Sequence, residues 1–138
     1  MIATYAVKAS RDASFENGDY VPRGGAMEML YDHSPELIIE GPAETGKTIA
    51  CCWKIHTWCM KYPGTNGVMA RKQQTDIYGS VLETFKDITE GAPIKHYGGE
   101  TPSKLIYPNG SVIWIAGLDK SSKVLSSERD FIYVNQAE

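Results

Sequence analysis

Glu36-Leu37-Ile38-Ile39-Glu40-Gly41-Pro42-Ala43-Glu44-Thr45-Gly46-Lys47-Thr48 is the stretch that decides how this chain is read. Its first five residues form a brief apolar run closed by Gly41-Pro42, the pattern of a buried strand. Gly41 to Thr48 fits the pattern G-x-x-x-x-G-K-[ST] at every fixed position. The chemistry behind that spacing is complete. Gly41 and Gly46 let the backbone curl around Pro42, which has no N–H, so that successive N–H groups of Ala43, Glu44 and Thr45 face an anion. Lys47 reaches the β and γ phosphates of a nucleoside triphosphate, and the Thr48 hydroxyl is a ligand for Mg²⁺. A helix that follows points its positive end at the same anion. A chance match in a chain of this length is on the order of one percent or less. The structural alternative is a Gly-rich strand-to-helix turn with no ligand.

Working outward, a helix is predicted from about Lys47 to Tyr62, with Ile49, Cys52, Trp53, His56, Cys59 and Met60 on one side at helical spacing. Pro63-Gly64 ends it. Gly67 to Ala70 reads as a second strand, and Asp76 to Thr89 as a second helix with Ile77, Val81, Leu82, Phe85 and Ile88 inward. Ser103 to Tyr107 and Ser111 to Ala116 flank Pro108-Asn109-Gly110, a hairpin signal. Asp130 to Asn135 is a last buried strand. Upstream, residues 2–9 read as a short strand or arm, residues 10–19 as a polar loop, and residues 26–33 as a short helix ended by Ser34-Pro35. Strands alternating with helices predict an α/β fold with a mainly parallel sheet, to which the hairpin adds an antiparallel element. The predicted organisation is an N-terminal arm or strand and loop over residues 1–19, then one domain over residues 20–138.

Composition narrows the class further. The chain has 138 residues, 42% hydrophobic and 22% charged, which suits one globular domain. A net charge of −3 argues against a generic basic nucleic-acid binder, though not against a local basic strip. No apolar run is long enough for a membrane span, and no signal-peptide pattern opens the chain. Three cysteines, two of them adjacent, make a poor disulfide framework and suit a reducing compartment. Cys52, His56 and Cys59 share a helix face, where a packed interior is favoured over a metal site. Trp53 and Trp114 lie in apolar patterns that favour core packing over base stacking. Lys120, Lys123 and Arg129 form a modest basic cluster, read as a solvated loop.

Many ATP-hydrolysing proteins end a later buried strand with Asp-Glu, one carboxylate for the magnesium shell and one for the attacking water. Here Phe131-Ile132-Tyr133-Val134 is followed by Asn135-Gln136-Ala137-Glu138. The two expected carboxylates are amides. Asn135 retains an oxygen for a magnesium-bound water. Gln136 orients a water but accepts no proton. Glu138 is the nearest carboxylate and a substitute base if the strand continues, because residues two apart share a strand face. The alternative for Glu138 is a frayed end.

Several blocks together resemble the ATPase domain of a tailed-phage terminase large subunit, the DNA-packaging motor. They are Glu40 to Thr48, Lys61-Tyr62-Pro63-Gly64, Met69-Ala70-Arg71-Lys72, Tyr78 to Phe85, and Gly117-Leu118-Asp119 with Ser127 to Glu138. The match runs from about Tyr20 to the end of the sequence. The resemblance implies a P-loop NTPase fold of the additional-strand type. It implies ATP and Mg²⁺ as cofactors, and ATP hydrolysis coupled to moving double-stranded DNA into a procapsid. It also implies a homo-oligomeric ring in the host cytoplasm, partnered by a portal protein and a small terminase subunit, with no membrane. It places adenine contacts near Tyr20 and Arg23, and makes Arg129 and, less favoured, Arg71 candidates for an arginine offered to a neighbour's ATP. An ion pair for Arg129 and a solvated strand end for Arg71 are the structural alternatives. Some members carry Asn-Gln at the acidic strand end, which favours natural divergence here over a pair installed to trap ATP. Members are several times longer, with a further strand and a nuclease domain, so the expectation is that this chain covers only a first part. Another P-loop ATPase of helicase or recombinase type, and a non-catalytic nucleotide-binding fragment, are the competing readings.

Overall fold

The structure, a computed structural model, describes residues 2–6, 15–16, 19–20, 25–34, 36–40, 47–119 and 128–135. The chain divides into two compact units, Met1–Lys54 and Ile55–Glu138.

In the first unit, strand β1 (Ile2–Ala6) pairs in parallel with β4 (Glu36–Glu40). Two further short strands, β2 (Phe15–Glu16) and β3 (Asp19–Tyr20), pair antiparallel inside the stretch expected to be loop. Asn17-Gly18 stands between them in sequence, the same two-residue signal that marked the later hairpin. Helix α1 (Gly25–Tyr31) follows, and α2 (Lys47–Lys61) begins after β4. Met29 and Ala50 are buried together, with Leu30, Ile49, Cys51 and Trp53 packed against them. Lys54 of α2 donates through Nζ to the carbonyls of Met29 (2.5 Å) and Asp32 (2.6 Å). These carbonyls lie at the end of α1, and that of Met29 also accepts from the Asp32 N–H (3.2 Å).

The second unit holds a five-stranded sheet flanked by helices, in the order β6-β7-β8-β5-β9. Its strands are β5 (Asn66–Arg71), β6 (Lys95–Tyr97), β7 (Lys104–Ile106), β8 (Val112–Gly117) and β9 (Phe131–Val134). Strand β5 runs parallel to both β8 and β9, while the β6–β7 and β7–β8 pairings are antiparallel. The sheet is therefore mixed rather than mainly parallel. The reason is local. Pro108-Asn109-Gly110 turns β7 directly into β8, and Gly98 and Gly99, at φ 117° and 71°, turn β6 toward β7. Tight turns join antiparallel neighbours only.

Strand β5 is buried on both faces, with Val68, Met69 and Ala70 fully covered. This explains a continuous apolar run in place of alternation. Met69, Leu105, Ile113 and Ile115 belong to one face, and Val68, Ala70 and Ala116 form a cluster with Trp114 on the other. The predicted helix over residues 76–89 is two helices, α3 (Thr75–Tyr78) and α4 (Val81–Ile88). Gly79 leaves the helical region, and Ser80 adopts φ −140° and ψ −94°, so the chain restarts there. The apolar residues survive the break. Ile77, Val81, Leu82 and Phe85 are buried, while Ile88 is half-buried.

The end of α2 is fastened to the hairpin. Asn109 Nδ2 donates to the Cys59 carbonyl (2.8 Å), and Ser111 Oγ donates to the same carbonyl (2.8 Å). The Thr65 N–H in turn donates to Ser111 Oγ (3.2 Å). Side chains of the turn thus satisfy a carbonyl of the last turn of α2. Met60, expected on the inner side, is 55% exposed, since the chain turns away at Pro63-Gly64.

Candidate functional site

Lys47 and Thr48 are the first two residues of α2, and both are half-buried. Strand β4 ends at Glu40, so the sequence pattern is bracketed by a strand and a helix as its chemistry requires. Gly41, Pro42, Ala43, Glu44, Thr45 and Gly46 lie outside the described residues. So do Arg23, Gln136, Glu138, Lys120 and Lys123. Tyr20 is the second residue of β3.

In the second unit the carboxyl ends of β5 and β9 lie side by side. Ala70 pairs with Val134, and the Asn135 N–H donates to the Ala70 carbonyl (2.9 Å). Arg71 and Asn135 therefore occupy adjacent strand ends. In open α/β sheets this edge is where ligands bind. Asn135 is half-buried, and its Nδ2 donates to the Tyr133 hydroxyl (2.9 Å). The Arg71 guanidinium donates to the Asp76 carbonyl (3.0 Å) and to Ser80 Oγ (2.5 Å), holding the start of α3 and the α3–α4 junction. The backbone at this edge is closely packed. A Cβ on Gly117 would meet Gln74 N at 2.8 Å and Asp119 Oδ1 at 2.7 Å, so glycine is required there.

Arg129 sits at the opposite edge, before the amino end of β9. Asp130 and the four residues of β9 separate it from Asn135, a span of up to roughly 20 Å of extended chain. Its Nη1 donates to Asn66 Oδ1 (2.7 Å), and its guanidinium lies 5.6 Å from the Trp114 ring centre. A polar cleft lined by Asn66, Glu128, Arg129 and Asp130 opens at that edge. The structure thus separates the two arginine candidates, one at each end of the parallel strands. Trp114 is half-buried and carries a second cation, Lys104 Nζ at 5.0 Å, over its ring.

The Cys/His face of α2 is interior. Cys52 and Cys59 are fully buried, and His56 is 5% exposed. Burial pushes the Cys52 thiol well above its ordinary pKa, with Cys51 adding to the effect. Burial, with Asp130 as the lesser cause, pushes Cys59 up to about 12. Both thiols stay protonated at neutral pH, the state that neither attacks nor ligates metals. His56 Nδ1 and the Tyr107 hydroxyl share a hydrogen bond of 2.8 Å, and the imidazole meets Phe85 edge-on. Burial lowers the His56 pKa. Burial likewise lowers that of Lys54, against the opposing pull of Asp32. Helical spacing placed His56 on the inner face of α2 but did not find its partner, nor the contacts of Tyr107, Tyr133 or Lys54. The partners of His56 and Lys54 lie far away in sequence, so no local spacing announces them.

Comparison with protein-family models, with curated proteins and with solved structures finds no match to this chain.

Proposed function

We propose that the chain binds a nucleoside triphosphate through Gly41 to Thr48, as the ATP-binding part of a P-loop ATPase of the viral DNA-packaging type. The observation that carries this reading is the complete phosphate-loop pattern set between strand β4 and helix α2, whose first residue is Lys47. In this reading Lys47 contributes positive charge to the β and γ phosphates, and the N–H groups at the start of α2 add the helix's positive end. Thr48 supplies a hydroxyl oxygen, a hard donor that suits Mg²⁺. It is neutral, so the anionic share of the metal's shell falls to the nucleotide. Bound magnesium would neutralise charge developing on the transferred phosphoryl group. Tyr20 and Arg23 are assigned to the adenine, and Arg129 or Arg71 to a neighbouring subunit's nucleotide. Double-stranded DNA, a portal protein, a small terminase subunit and further copies in a ring are the partners this reading names.

Lys47→Ala is expected to abolish binding of a fluorescent ATP analogue without lowering the melting temperature of the free protein. Unchanged affinity would remove the phosphate-loop assignment.

One observation favours a second reading, a nucleotide-binding chain without turnover. The residue after β9 is an amide, and its side chain is engaged by Tyr133. Phosphate release, measured with and without DNA, separates the two. Turnover that disappears in Glu138→Gln supports hydrolysis with Glu138 as base, and absence of turnover alongside intact ATP binding supports the second reading.

A further inference from the structure

We propose that one face of the sheet in the second unit, at Lys95, Tyr97, Lys104 and Trp114, is a binding surface for single-stranded nucleic acid. None of these residues takes part in the nucleotide reading, so the surface stands or falls separately from the phosphate loop.

Tyr97 of β6 lies opposite Lys104 of β7, and Lys104 lies opposite Trp114 of β8. Directly opposed residues share a face, so the three side chains form one row across three strands. Lys95 stands two residues before Tyr97 and shares that face. The opposite face is covered, with Leu105 and Ile113 fully buried. The row's own face is covered toward β5, at Val68, Ala70 and Ala116. Away from β5 it opens. Lys104 and Trp114 are half-buried, Lys95 is exposed, and Tyr97 is 55% exposed.

Cations and rings alternate along the row. Lys104 Nζ lies 4.9 Å from the Tyr97 ring centre and 5.0 Å from that of Trp114. The Trp114 ring also meets the Arg129 guanidinium, at 5.6 Å. Rings attract an ammonium and hold it in place, but they do not cancel its charge. Among the described residues neither Lys104 nor Lys95 has a carboxylate partner. Two uncompensated positive charges therefore stand beside an aromatic ring with open surface. Glu128 and Asp130 line the cleft at Arg129, so the part of the row that attracts anions is its Lys95 and Lys104 end.

That combination selects its occupant. Phosphates supply the negative charge that the lysines lack, and an unstacked base offers a π face to Tyr97. In a duplex the base faces are covered by their neighbours, which leaves the ring nothing to stack on. An acidic peptide would satisfy the lysines but make no use of the ring.

The test is the fluorescence anisotropy of a labelled oligothymidylate of about 12 nucleotides, titrated with the full chain. Affinity should fall about sevenfold between about 50 and 200 mM salt, as for two phosphates of a single strand. Lys104→Gln should weaken binding and reduce that salt factor to about threefold. Tyr97→Ala should weaken binding about fivefold or more, and Tyr97→Phe should not. Lys86→Gln removes a charge of α4 that acts on His96 of the opposite face, and it should leave binding unchanged. Lys95→Gln, at an exposed position, repeats the lysine test if Lys104→Gln lowers the melting temperature. Absence of binding overturns the proposal, as do equal losses in Lys86→Gln and Lys104→Gln. So does a duplex or polyglutamate that binds as tightly as the single strand. Displacement by excess ATP with Mg²⁺ overturns it too, because the oligonucleotide would then occupy the phosphate loop.

Discussion

His56 shows how one buried residue sets a pH dependence. Its imidazole lies between Tyr107 and Phe85, and burial lowers its pKa from the ordinary 6.5. The unfolded chain therefore takes up the proton first as pH falls. The stabilisation is fully present above pH 6.5 and is lost as pH drops through that value toward the lower folded pKa. Urea unfolding midpoints should hold steady above neutrality and decline between pH 7 and 5. His56→Gln should flatten that decline, with the remaining slope carried partly by His96, whose pKa burial and Lys86 also lower. A slope equal to that of the unsubstituted protein would assign the effect elsewhere. At this scale the sequence was legible only where chemistry is local. Gly41 to Thr48 announces itself because its pattern is contiguous in sequence. His56 with Tyr107 and Lys54 with Met29 are pairings that only the folded chain creates.

Elements were more legible than single contacts. The strand at Glu36–Glu40, the helix from Lys47 and the Asn-Gly hairpin were all readable, because period, turn residues and motif pointed the same way. The helix over residues 76–89 was readable as an apolar face but not as two pieces. Ile77, Val81, Leu82 and Phe85 keep helical spacing across Gly79-Ser80, so periodicity conceals the break. Strand β6 was missed because three residues, Lys95-His96-Tyr97, offer no apolar run. Two predictions belong here. The Phe131 ring lies over Gly67 so closely that an added Cβ would overlap it. Gly67→Ala should destabilise by about 1–3 kcal/mol, and adding Phe131→Leu should recover part of the loss in a double-mutant cycle. Ser111→Ala removes an acceptor from the buried Thr65 N–H and a donor from the Cys59 carbonyl. Denaturant titration should show a cost of about 1–3 kcal/mol, and a value near zero would mean that the Ser111 hydroxyl adds no net stability.

For the whole molecule, ligand linkage is the natural probe. A ligand that binds only the folded chain, at a hundred times its dissociation constant, stabilises by about 2.7 kcal/mol. For 138 residues this corresponds to a rise in melting temperature of roughly 10 °C. ATP with Mg²⁺ should produce such a rise, and Lys47→Ala should remove it. A shift that survives in Lys47→Ala would point to binding outside Gly41 to Thr48. The α/β class was readable from alternating patterns alone. Of the sheet's mixed character the β7–β8 hairpin was readable and the β6–β7 pairing was not, because its direction depends on turns at Gly98-Gly99, between elements one of which leaves almost no trace in sequence.

Strand β5 lies between β8 and β9, and both neighbours come later in the chain. A ribosome completes the middle of this sheet before it begins either side. At about 5–20 residues per second, the interval between the synthesis of Arg71 and Val134 is on the order of several seconds. Until Val112–Gly117 is made, Val68, Met69 and Ala70 have no strand on either side, and until Val134 they have one on one side only. The sheet closes through distant pairings, a topology that slows folding. A nascent chain halted before Val112 should expose β5 to chaperones and proteases, and one extended past Val134 should bury it.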